Sequence, residues 1–391
     1  MIEIIRSIIE RFHSRKYQFV ENIGGRQSGV NKRCLLYYKT DSFYRFKFVS
    51  DYKHTNFWEI REIVSVLNQH GFIVDIVDRS NENFIPEDKY DLFIGLGAGN
   101  SGKYFAKYAT RLQKAVKVLY AAGPEPELSN KLVKNRYNQF IVRTGVNAPY
   151  QRIITEVNFS EFIVHTDYII VIGEENSFSY NSYLQFGKPV FTLRPSSSPK
   201  LKFNNQWLKT RSMNTYLCFA GNGLICKGVD LLIEAFTRLP KCTLYICGPK
   251  ELHLFKAYKQ LPSNIIYKGF IKVGGSQFNK LSKKCGFVIL HSASEGCATS
   301  VTTCLRNGLV PIVNREVGLN VNNYGYLLDK KDPSEYIDDI VETVKKTSLL
   351  TRKEYNSRVS ATLQYSRNFT QTLFSQTFND IISKIRQKEH L

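Results

Sequence analysis

One segment in the second half of the chain combines residue types that could bind a phosphate and a sugar together. It runs from His291 to Asn314, HSASEGCATSVTTCLRNGLVPIVN, and directly follows the apolar run Phe287 to Leu290. The pattern predicts a strand, a small-residue loop at Glu295 and Gly296, a helix and a second strand. Backbone N–H groups at a helix start favour a phosphate, and a carboxylate accepts hydrogen bonds from sugar hydroxyls. This combination suits a sugar nucleotide as ligand.

A second, glycine-rich segment is an alternative candidate for phosphate binding. Gly97 to Tyr104, GAGNSGKY, follows an apolar run and matches the GxxxxGK part of a P-loop. Tyr104 stands where a Ser or Thr should hold magnesium, and no later strand ends in a suitable aspartate, so a P-loop nucleotide-binding protein is the weaker interpretation. If the chain instead forms two domains around a cleft, this loop faces it from the N-terminal side. The acceptor-side candidates of the N-terminal half are His54, Asn100 and Lys103.

Size and composition indicate a two-domain globular protein. The chain has 391 residues, of which 43% are hydrophobic and 23% charged, and this length exceeds one typical core. No apolar stretch reaches the roughly 18–20 residues that a membrane helix needs. The start, MIEIIRSIIERFHSRKY, lacks a small-residue cleavage site, so we expect no secretory signal. The eight cysteines form no CxxC pair, which favours a reduced, cytoplasmic chain without structural zinc.

The charge balance favours an anionic partner. Lys and Arg number 54 and Asp and Glu 34, a net charge of +20. Nucleic acid, acidic lipid headgroups and a phosphorylated substrate all fit this excess, as does a solvated basic surface. The sequence lacks the alternation of basic and aromatic residues that is typical of an RNA-binding sheet, so no nucleic-acid partner is expected.

Strand-like and helix-like patterns alternate along the whole chain, which predicts parallel βαβ units. The prediction is an α/β protein with two Rossmann-like, doubly wound domains facing each other across a cleft, where ligands of open α/β sheets bind. Residues 1–200 form the N-terminal domain, with 1–30 as a helical extension, and residues 216–370 the C-terminal domain. A linker at 201–215 joins them, preceded by the break Pro195 to Pro199. The last segment, 371–391, is predicted to be a helix that packs back on the N-terminal domain.

The predicted strands can be stated residue by residue. In the first half they are Cys34–Tyr38, Phe72–Val77, Asp91–Leu96, Val116–Tyr120, Tyr168–Ile172 and Pro189–Leu193. In the second half they are Tyr216–Ala220, Thr243–Cys247, Ile265–Lys268, Phe287–Leu290, Leu309–Val313 and Tyr326–Leu328. The segment Ala121 to Asn130, AAGPEPELSN, is interpreted as backbone-rich turns that line the cleft.

The N-terminal segment leaves two interpretations open. Ile5, Ile8, Ile9 and Phe12 form an apolar stripe beside several basic residues. Such a helix could lie on an anionic membrane, gaining about 1 kcal/mol per basic residue near the surface. Packing against the N-terminal domain explains the same pattern.

Three segments in order identify a resemblance. They are FAGNGLICKGVDLLIEAFTRLPKCTLYICGP from Phe219, NIIYKGFI from Asn264, and SEGCATSVTTCLRNGLVPIV from Ser294. Together they resemble the donor-binding half of GT-B glycosyltransferases of the retaining, family 4-like (glycogen-synthase-like) group. The resemblance covers about Tyr216 to Leu328 well and the first half only by domain pattern.

The resemblance implies site residues by position. Lys227 matches the lysine that contacts the donor diphosphate, and Glu295 matches the glutamate that contacts sugar hydroxyls. The small residues after that glutamate would lend N–H groups to the phosphates, and the turn at residue 269 would line the nucleobase. The implied donor-binding positions are Gly221, Asn222, Gly223, Gly248, Gly269, Phe270, Gly296, Ala298, Thr299, Ser300 and Thr303.

Two positions depart from the family pattern. Asn222 stands where an arginine usually serves as second cation for the diphosphate, and Thr303 where a second glutamate usually binds the ribose. A charge-assisted hydrogen bond contributes about 1.5–3 kcal/mol, so the two losses amount to about 3–6 kcal/mol of donor affinity. Arg306 and Lys250 are the candidate replacements.

The expected function is therefore transfer of a sugar from a nucleotide-diphosphate sugar to a hydroxyl acceptor, with retention of configuration. The acceptor would be a glycan or lipid-linked glycan of surface polysaccharide or glycoconjugate synthesis, in the cytoplasm or at the inner membrane face. The chain has no DxD triplet, so neither a metal nor another cofactor is expected. Alternatives remain: a non-catalytic nucleotide- or glycan-binding protein of this fold, or a phosphatase or epimerase on the same scaffold. Glu295 could also simply cap its helix.

Overall fold

A computed structural model describes residues 18–24, 32–44, 55–97, 104–154, 159–197, 203–321 and 323–391. The acceptor-side candidates His54, Asn100 and Lys103 lie outside the described residues, as does most of the predicted N-terminal extension.

The N-terminal domain is built on a mainly parallel sheet. Its strands are β1 (Phe19–Ile23), β2 (Lys32–Tyr38), β3 (Phe72–Asp78), β4 (Leu92–Leu96), β5 (Val116–Ala121), β6 (Tyr168–Ile172) and β7 (Val190–Leu193). Among the described residues they lie in the order β1-β3-β2-β4-β5-β6-β7. The helices are α1 (Asp41–Tyr44), α2 (Asn56–Gln69), α3 (Phe105–Ala109), α4 (Pro126–Thr144), α5 (Phe159–Val164) and α6 (Phe178–Leu184).

The C-terminal domain repeats this plan. Its strands are β8 (Ser212–Phe219), β9 (Thr243–Cys247), β10 (Ile265–Gly269), β11 (Cys285–Leu290), β12 (Val310–Asn314) and β13 (Tyr326–Leu328). They are parallel and lie in the order β10-β9-β8-β11-β12-β13. The helices are α7 (Trp207–Thr210), α8 (Val229–Thr237), α9 (Leu252–Ala257), α10 (Ser276–Lys284), α11 (Thr299–Leu305), α12 (Tyr336–Ser348), α13 (Arg352–Ser366) and α14 (Gln371–Glu389).

Buried apolar strands explain why both sheets are parallel. All residues of β6, YIIVI, and of β11, CGFVIL, are buried, as expected where helices cover both faces of a sheet. The exception is β1, which pairs antiparallel with β3 at the sheet edge. The sequence pattern predicted only parallel units and a helical extension over residues 1–30. The strand Phe19–Ile23, whose residues are exposed or half-buried, corrects both predictions for this segment.

The segment from Ala121 to Asn130 agrees with its prediction only in part. Ala122 to Pro124 form bends that line a cavity of about 240 Å³, but Pro126 begins a 19-residue helix, α4, which ends where Gly145 adopts a left-handed φ of 68°. The Glu125 side chain caps it, accepting from the N–H groups of Glu127 and Leu128 at 2.7 Å each. An acidic N-cap followed by proline at the first helical position is a known start signal. Glu125 is therefore buried at the helix cap.

The segment 201–215, assigned to the linker from the sequence, contains α7 and the beginning of β8. No described helix has both the length and the apolar character that a membrane span requires.

The polypeptide crosses between the domains twice, and the crossings are hydrogen-bonded to each other. The first follows β7, where the N–H and Oγ of Ser197 donate to the Phe369 carbonyl at 2.9 and 2.6 Å. The second leads into α14, which packs on α2 of the N-terminal domain. There the rings of Trp58 and Phe374 meet edge to face with centroids 5.7 Å apart.

Helix α4 ties the domains together on the other side of the cleft. The buried Arg136 donates to the His291 carbonyl at 2.8 Å and to His291 Nδ1 at 2.9 Å. About two helical turns later, Arg143 forms ion pairs with Asp230 and Glu234 of α8. The two domains therefore meet in a polar, hydrogen-bonded interface.

Candidate functional site

The site lies where the strand order of the C-terminal sheet reverses, between β8 and β11. Crossovers lead from β8 toward β10 on one side, and from β11 toward β13 on the other. The loops after β8 and β11 therefore diverge and leave a crevice at the carboxyl ends of these strands, where ligands of such sheets bind. A cavity of about 790 Å³ lies there, lined by residues of both domains.

Most of the predicted donor-site residues line this cavity. They are Gly221, Asn222, Lys227, Phe270, Glu295, Ala298, Thr299, Ser300 and Thr303. Gly223 and Gly269 neighbour lining residues in the sequence, and Gly248 lies in the loop after β9, but none of the three lines the cavity. Gly296 lines a smaller neighbouring cavity of about 240 Å³.

Glu295 is the centre of the polar contacts. Its loop is fixed to the turn after β12, because Glu295 N–H donates to the Glu316 carbonyl at 2.9 Å. Carboxylate Oε1 accepts from Ser292 Oγ at 2.8 Å, from Arg152 Nη1 at 3.2 Å, and from the Lys227 ammonium. Among the described residues no side chain donates to Oε2, so this oxygen is available to a hydroxyl. The helix N-cap is Ala298, so Glu295 is not a helix cap.

Lys227 ends the tight turn after β8. Its N–H donates to the Gly223 carbonyl at 2.9 Å, and the next residue, Gly228, has a left-handed φ of 72°. The side chain is almost fully buried. Burial, and then the neighbouring Arg152, lower the pKa of Lys227, whereas contact with the Glu295 carboxylate favours the ammonium. Lys227 and Glu295 thus form a largely buried ion pair at the cavity wall.

Arg152 belongs to the site although the sequence analysis did not select it. It comes from the loop after α4 of the N-terminal domain and lines both cavities. It has a left-handed φ of 64°, an uncommon conformation for a residue with a side chain. No motif in the sequence marks it, because its contact with Glu295 spans 143 positions.

The loop around Gly296 is held against the N-terminal domain. A Cβ on Gly296 would lie 2.6 Å from the Ala122 carbonyl oxygen and 3.0 Å from that of Ile172. Glycine is required here by close backbone approach, whereas the phosphate role predicted for it stays a prediction. The following helix, α11, is seven residues long, and no side chain caps its start.

The predicted nucleobase turn forms one wall of the cavity. Phe270 is 74% exposed and lies beside Ile271, Lys272 and Val273. Gly269 adopts a φ of 71°, and its carbonyl accepts from Gly248 N–H at 2.9 Å. An exposed aromatic ring at the rim offers a face on which a base could stack.

The two departures from the family pattern both face the cavity. Thr303 is 4% exposed and Asn222 is exposed, and both line the cavity. The suggested replacements, Arg306 and Lys250, do not line the cavity. The Arg306 pKa is lowered, first by burial and then by Arg367. The sequence-based suggestion for the missing cation was therefore wrong.

The N-terminal domain contributes several further residues that the sequence did not single out. Thr55, directly before α2, and Trp58 of α2 line the cavity, as do Ser196 and Ser197 of the first crossing. Gln371, at the start of α14, lies on the same wall. Among the described residues, no group of three or more His, Cys, Asp or Glu side chains is arranged to hold a metal ion.

Comparison with known proteins gives the following similarities. Residues 202–359 match the family model described as glycosyl transferases group 1. No curated protein matches the chain by sequence. Sucrose-phosphate synthase of Thermosynechococcus elongatus is 12% identical over 91% of this chain and 100% of its own, with a TM-score of 0.60.

Two further solved structures are similar over nearly their whole length. HepE of Anabaena, solved with UDP and glucose, is 12% identical over 90% of this chain and 99% of its own, with a TM-score of 0.56. WaaG, a glycosyltransferase involved in lipopolysaccharide biosynthesis, is 13% identical over 90% and 99%, with a TM-score of 0.51.

Proposed function

We propose that this chain, which has the GT-B fold, transfers a sugar from a nucleoside-diphosphate sugar to a hydroxyl acceptor. The observation that carries the proposal is the Lys227–Glu295 pair on the wall of the interdomain cavity. A cation and a carboxylate side by side match the two polar parts of such a donor, its diphosphate and its sugar hydroxyls. The match of residues 202–359 to glycosyl transferases group 1 supports the same assignment.

Each polar part of the donor has a partner of suitable chemistry. The Lys227 ammonium would bind the diphosphate as a point charge, and Glu295 Oε2 would accept from a sugar hydroxyl. Phe270 at the rim would contact the nucleobase. The similar structure of HepE contains UDP and glucose, which supports a uridine nucleotide as the first donor to test.

The chemical step requires charge stabilisation on the leaving group. The bond between the anomeric carbon and the diphosphate oxygen breaks, and a bond from the acceptor oxygen to that carbon forms. With retention, the leaving phosphate takes the acceptor proton on the same face, so no protein nucleophile is needed. Lys227 would stabilise the negative charge that develops on the diphosphate, which is the main catalytic term available to such a site.

The wider assignment extends the resemblance. We place the chain in the retaining, family 4-like group, acting without a metal or other cofactor on a glycan or lipid-linked glycan. Surface polysaccharide or glycoconjugate synthesis, in the cytoplasm or at the inner membrane face, is the setting that fits the net charge of +20. WaaG, which has a related fold, is involved in lipopolysaccharide biosynthesis.

The test measures donor consumption with and without acceptors. Purified protein is incubated with UDP-, GDP- and ADP-sugars and a panel of glycan acceptors, with and without EDTA, and release of nucleoside diphosphate is followed. We expect Lys227→Ala and Glu295→Ala each to lower transfer by about 100-fold or more, because each removes a charged contact at the reacting centre. Lys241→Ala, an exposed lysine before β9, is the matched control and should transfer at the wild-type rate. Wild-type rates in both site variants would reject the assignment.

One observation favours a second candidate. Asn222 and Thr303 supply no charge at two cavity positions where the family pattern has an arginine and a glutamate. A protein of this fold that binds a nucleotide sugar without transferring it would fit these substitutions. Calorimetric donor binding without turnover across the acceptor panel would support this candidate over the enzyme.

A further inference from the structure

We infer that Arg152, from the N-terminal domain, is the second cation of the diphosphate site and contacts the donor directly. The inference rests on the proposed function, since it assigns a residue to the same donor. It makes the diphosphate a ligand of both domains: Lys227 would bind it from one side of the cleft and Arg152 from the other.

The charged side chains around the cavity sum to a net positive charge, which favours an anion. The charged side chains among its described lining residues are Arg152, Lys227, Lys272 and Glu295. Three positive charges and one negative charge leave a net charge of +2. A nucleoside-diphosphate sugar carries about two negative charges on its phosphates, so the cavity and the donor are complementary.

The position of Arg152 is fixed by its surroundings. Asn130 of α4 holds the loop at Ile154, two residues after Arg152. Its side chain donates to the Ile154 carbonyl at 2.9 Å and accepts from Ile154 N–H at 2.8 Å. Within this clamped loop Arg152 holds its left-handed φ of 64°, a conformation that a residue with a Cβ rarely adopts. Such conformations persist where the surrounding structure fixes them, often at ligand sites.

The side chain of Arg152 lies across the turn after β8. A Cβ added to Gly223 would be 3.1 Å from Arg152 Cδ, so the glycine leaves room for the arginine stem. Gly223 follows Asn222 directly, and the guanidinium reaches the same Glu295 oxygen that Lys227 contacts. The two cations therefore converge on one point of the cavity from opposite domains.

A guanidinium here can bind more than the carboxylate. The Arg152 side chain is 37% exposed, and its contact with Glu295 uses one of the guanidinium nitrogens, Nη1. Its planar fork can bind phosphate oxygens through two parallel hydrogen bonds, which an ammonium cannot do. Arg152 would therefore add affinity for the diphosphate in particular, beyond holding Glu295.

The experiment separates contact with the diphosphate from positioning of Glu295. Binding of UDP, GDP and ADP, and of UMP, GMP and AMP, is measured by calorimetry on the full chain and its variants. For the nucleotide pair that binds, we expect Arg152→Gln to lower the affinity for the diphosphate by about 10- to 100-fold. The affinity for the monophosphate should fall much less. The diphosphate affinity of Arg152→Lys should lie between those of wild type and Arg152→Gln.

Controls make each outcome decisive. Arg111→Gln removes an exposed arginine before β5, at the opposite end of that sheet, and should bind like wild type. Thermal denaturation of Arg152→Gln checks that the variant folds. Equal diphosphate binding by wild type and Arg152→Gln, or equal losses for mono- and diphosphate, would overturn the role of Arg152 and leave the proposed function standing. A wild-type protein that binds none of these nucleotides would overturn both.

Discussion

At the scale of single residues, the turn that carries Lys227 depends on Gly228. This glycine has a φ of 72°, and a Cβ there would lie 2.3 Å from the His291 carbonyl oxygen and 2.6 Å from Arg136 Nη1. Carbonyl and guanidinium are joined in the domain interface, so neither can move freely. Gly228 is thus required by both its dihedral angle and its neighbours.

Replacing Gly228 by alanine should therefore destabilise the protein strongly. We expect a loss of about 3 kcal/mol or more in the free energy of unfolding, since a backbone clash adds to the left-handed strain. Gly187→Ala is a matched control, because Gly187 has a φ of 64° but nothing within 4 Å of an added Cβ. It should lose only about 1–2 kcal/mol. Urea denaturation checks both, and equal losses would show that the neighbours do not matter.

The sequence predicted some site residues and missed others for a physical reason. Lys227 and Glu295 each follow a buried strand within a recognisable segment, so local pattern sufficed to select them. Arg152 reaches the site only because α4 and its following loop fold against the C-terminal domain. Nothing in its sequence neighbourhood indicates that contact, and so the replacements suggested for the charges missing at Asn222 and Thr303 came from the C-terminal half, Arg306 and Lys250.

At the scale of secondary-structure elements, helix α2 and the first crossing are joined by a buried carboxylate. Glu59 accepts from the N–H of Ser196 at 2.7 Å and from its Oγ at 2.9 Å. Burial raises the pKa of Glu59 from its ordinary value of 4.5 to about 7, although the two hydrogen bonds from Ser196 oppose this. The folded protein thus holds a proton on Glu59 at a pH where the unfolded chain has lost it.

This raised pKa predicts how stability changes with pH. The contribution of Glu59 is largest below about pH 4.5, falls as pH rises to about 7, and is constant above that, a total loss of about 3 kcal/mol. Glu59→Gln removes the titration, so its stability relative to wild type should rise between pH 5 and pH 8. Urea denaturation at both pH values measures the difference. Glu87→Gln, which removes a carboxylate that is 76% exposed, controls for the loss of one charge, and matching trends would contradict the prediction.

Strands with continuous apolar runs were the most predictable part of the fold. Predicted strands such as Tyr168–Ile172 and Thr243–Cys247 coincide with β6 and β9, because continuous apolar runs are typical of buried parallel strands. Helix α4 was missed because its mean character is polar and Gly-Pro punctuation precedes it. Edge strand β1 has no buried face to mark it, and only its pairing with β3 defines it.

At the scale of the whole molecule, Arg136 holds the two domains together. It is 4% exposed and donates two hydrogen bonds to His291 across the interface. Burial, and then Arg136, lower the pKa of His291 well below its usual value, so the imidazole stays neutral and can accept at Nδ1. A charged donor buried between domains is expected to be important to their docking.

Removing this side chain should uncouple the domains. We expect Arg136→Ala to lower the unfolding temperature by several degrees and to separate the two domain transitions in scanning calorimetry, since about 3 kcal/mol of charged hydrogen bonding is lost. Arg238→Ala breaks an ion pair with Asp338 in which both side chains are more than half exposed and should have little effect. A single transition at the wild-type temperature in Arg136→Ala would show that docking depends on other contacts.

The paired crossings at Ser197 and Phe369 limit how the halves of the molecule can move. Because two backbone connections lie side by side and are hydrogen-bonded to each other, we expect any relative motion of the domains to be a rotation about the line through them. Twisting of one domain past the other would break these hydrogen bonds. Arg152 would then approach Lys227 along a single arc. The distance between the two cations would depend on one angle, the angle between the domains.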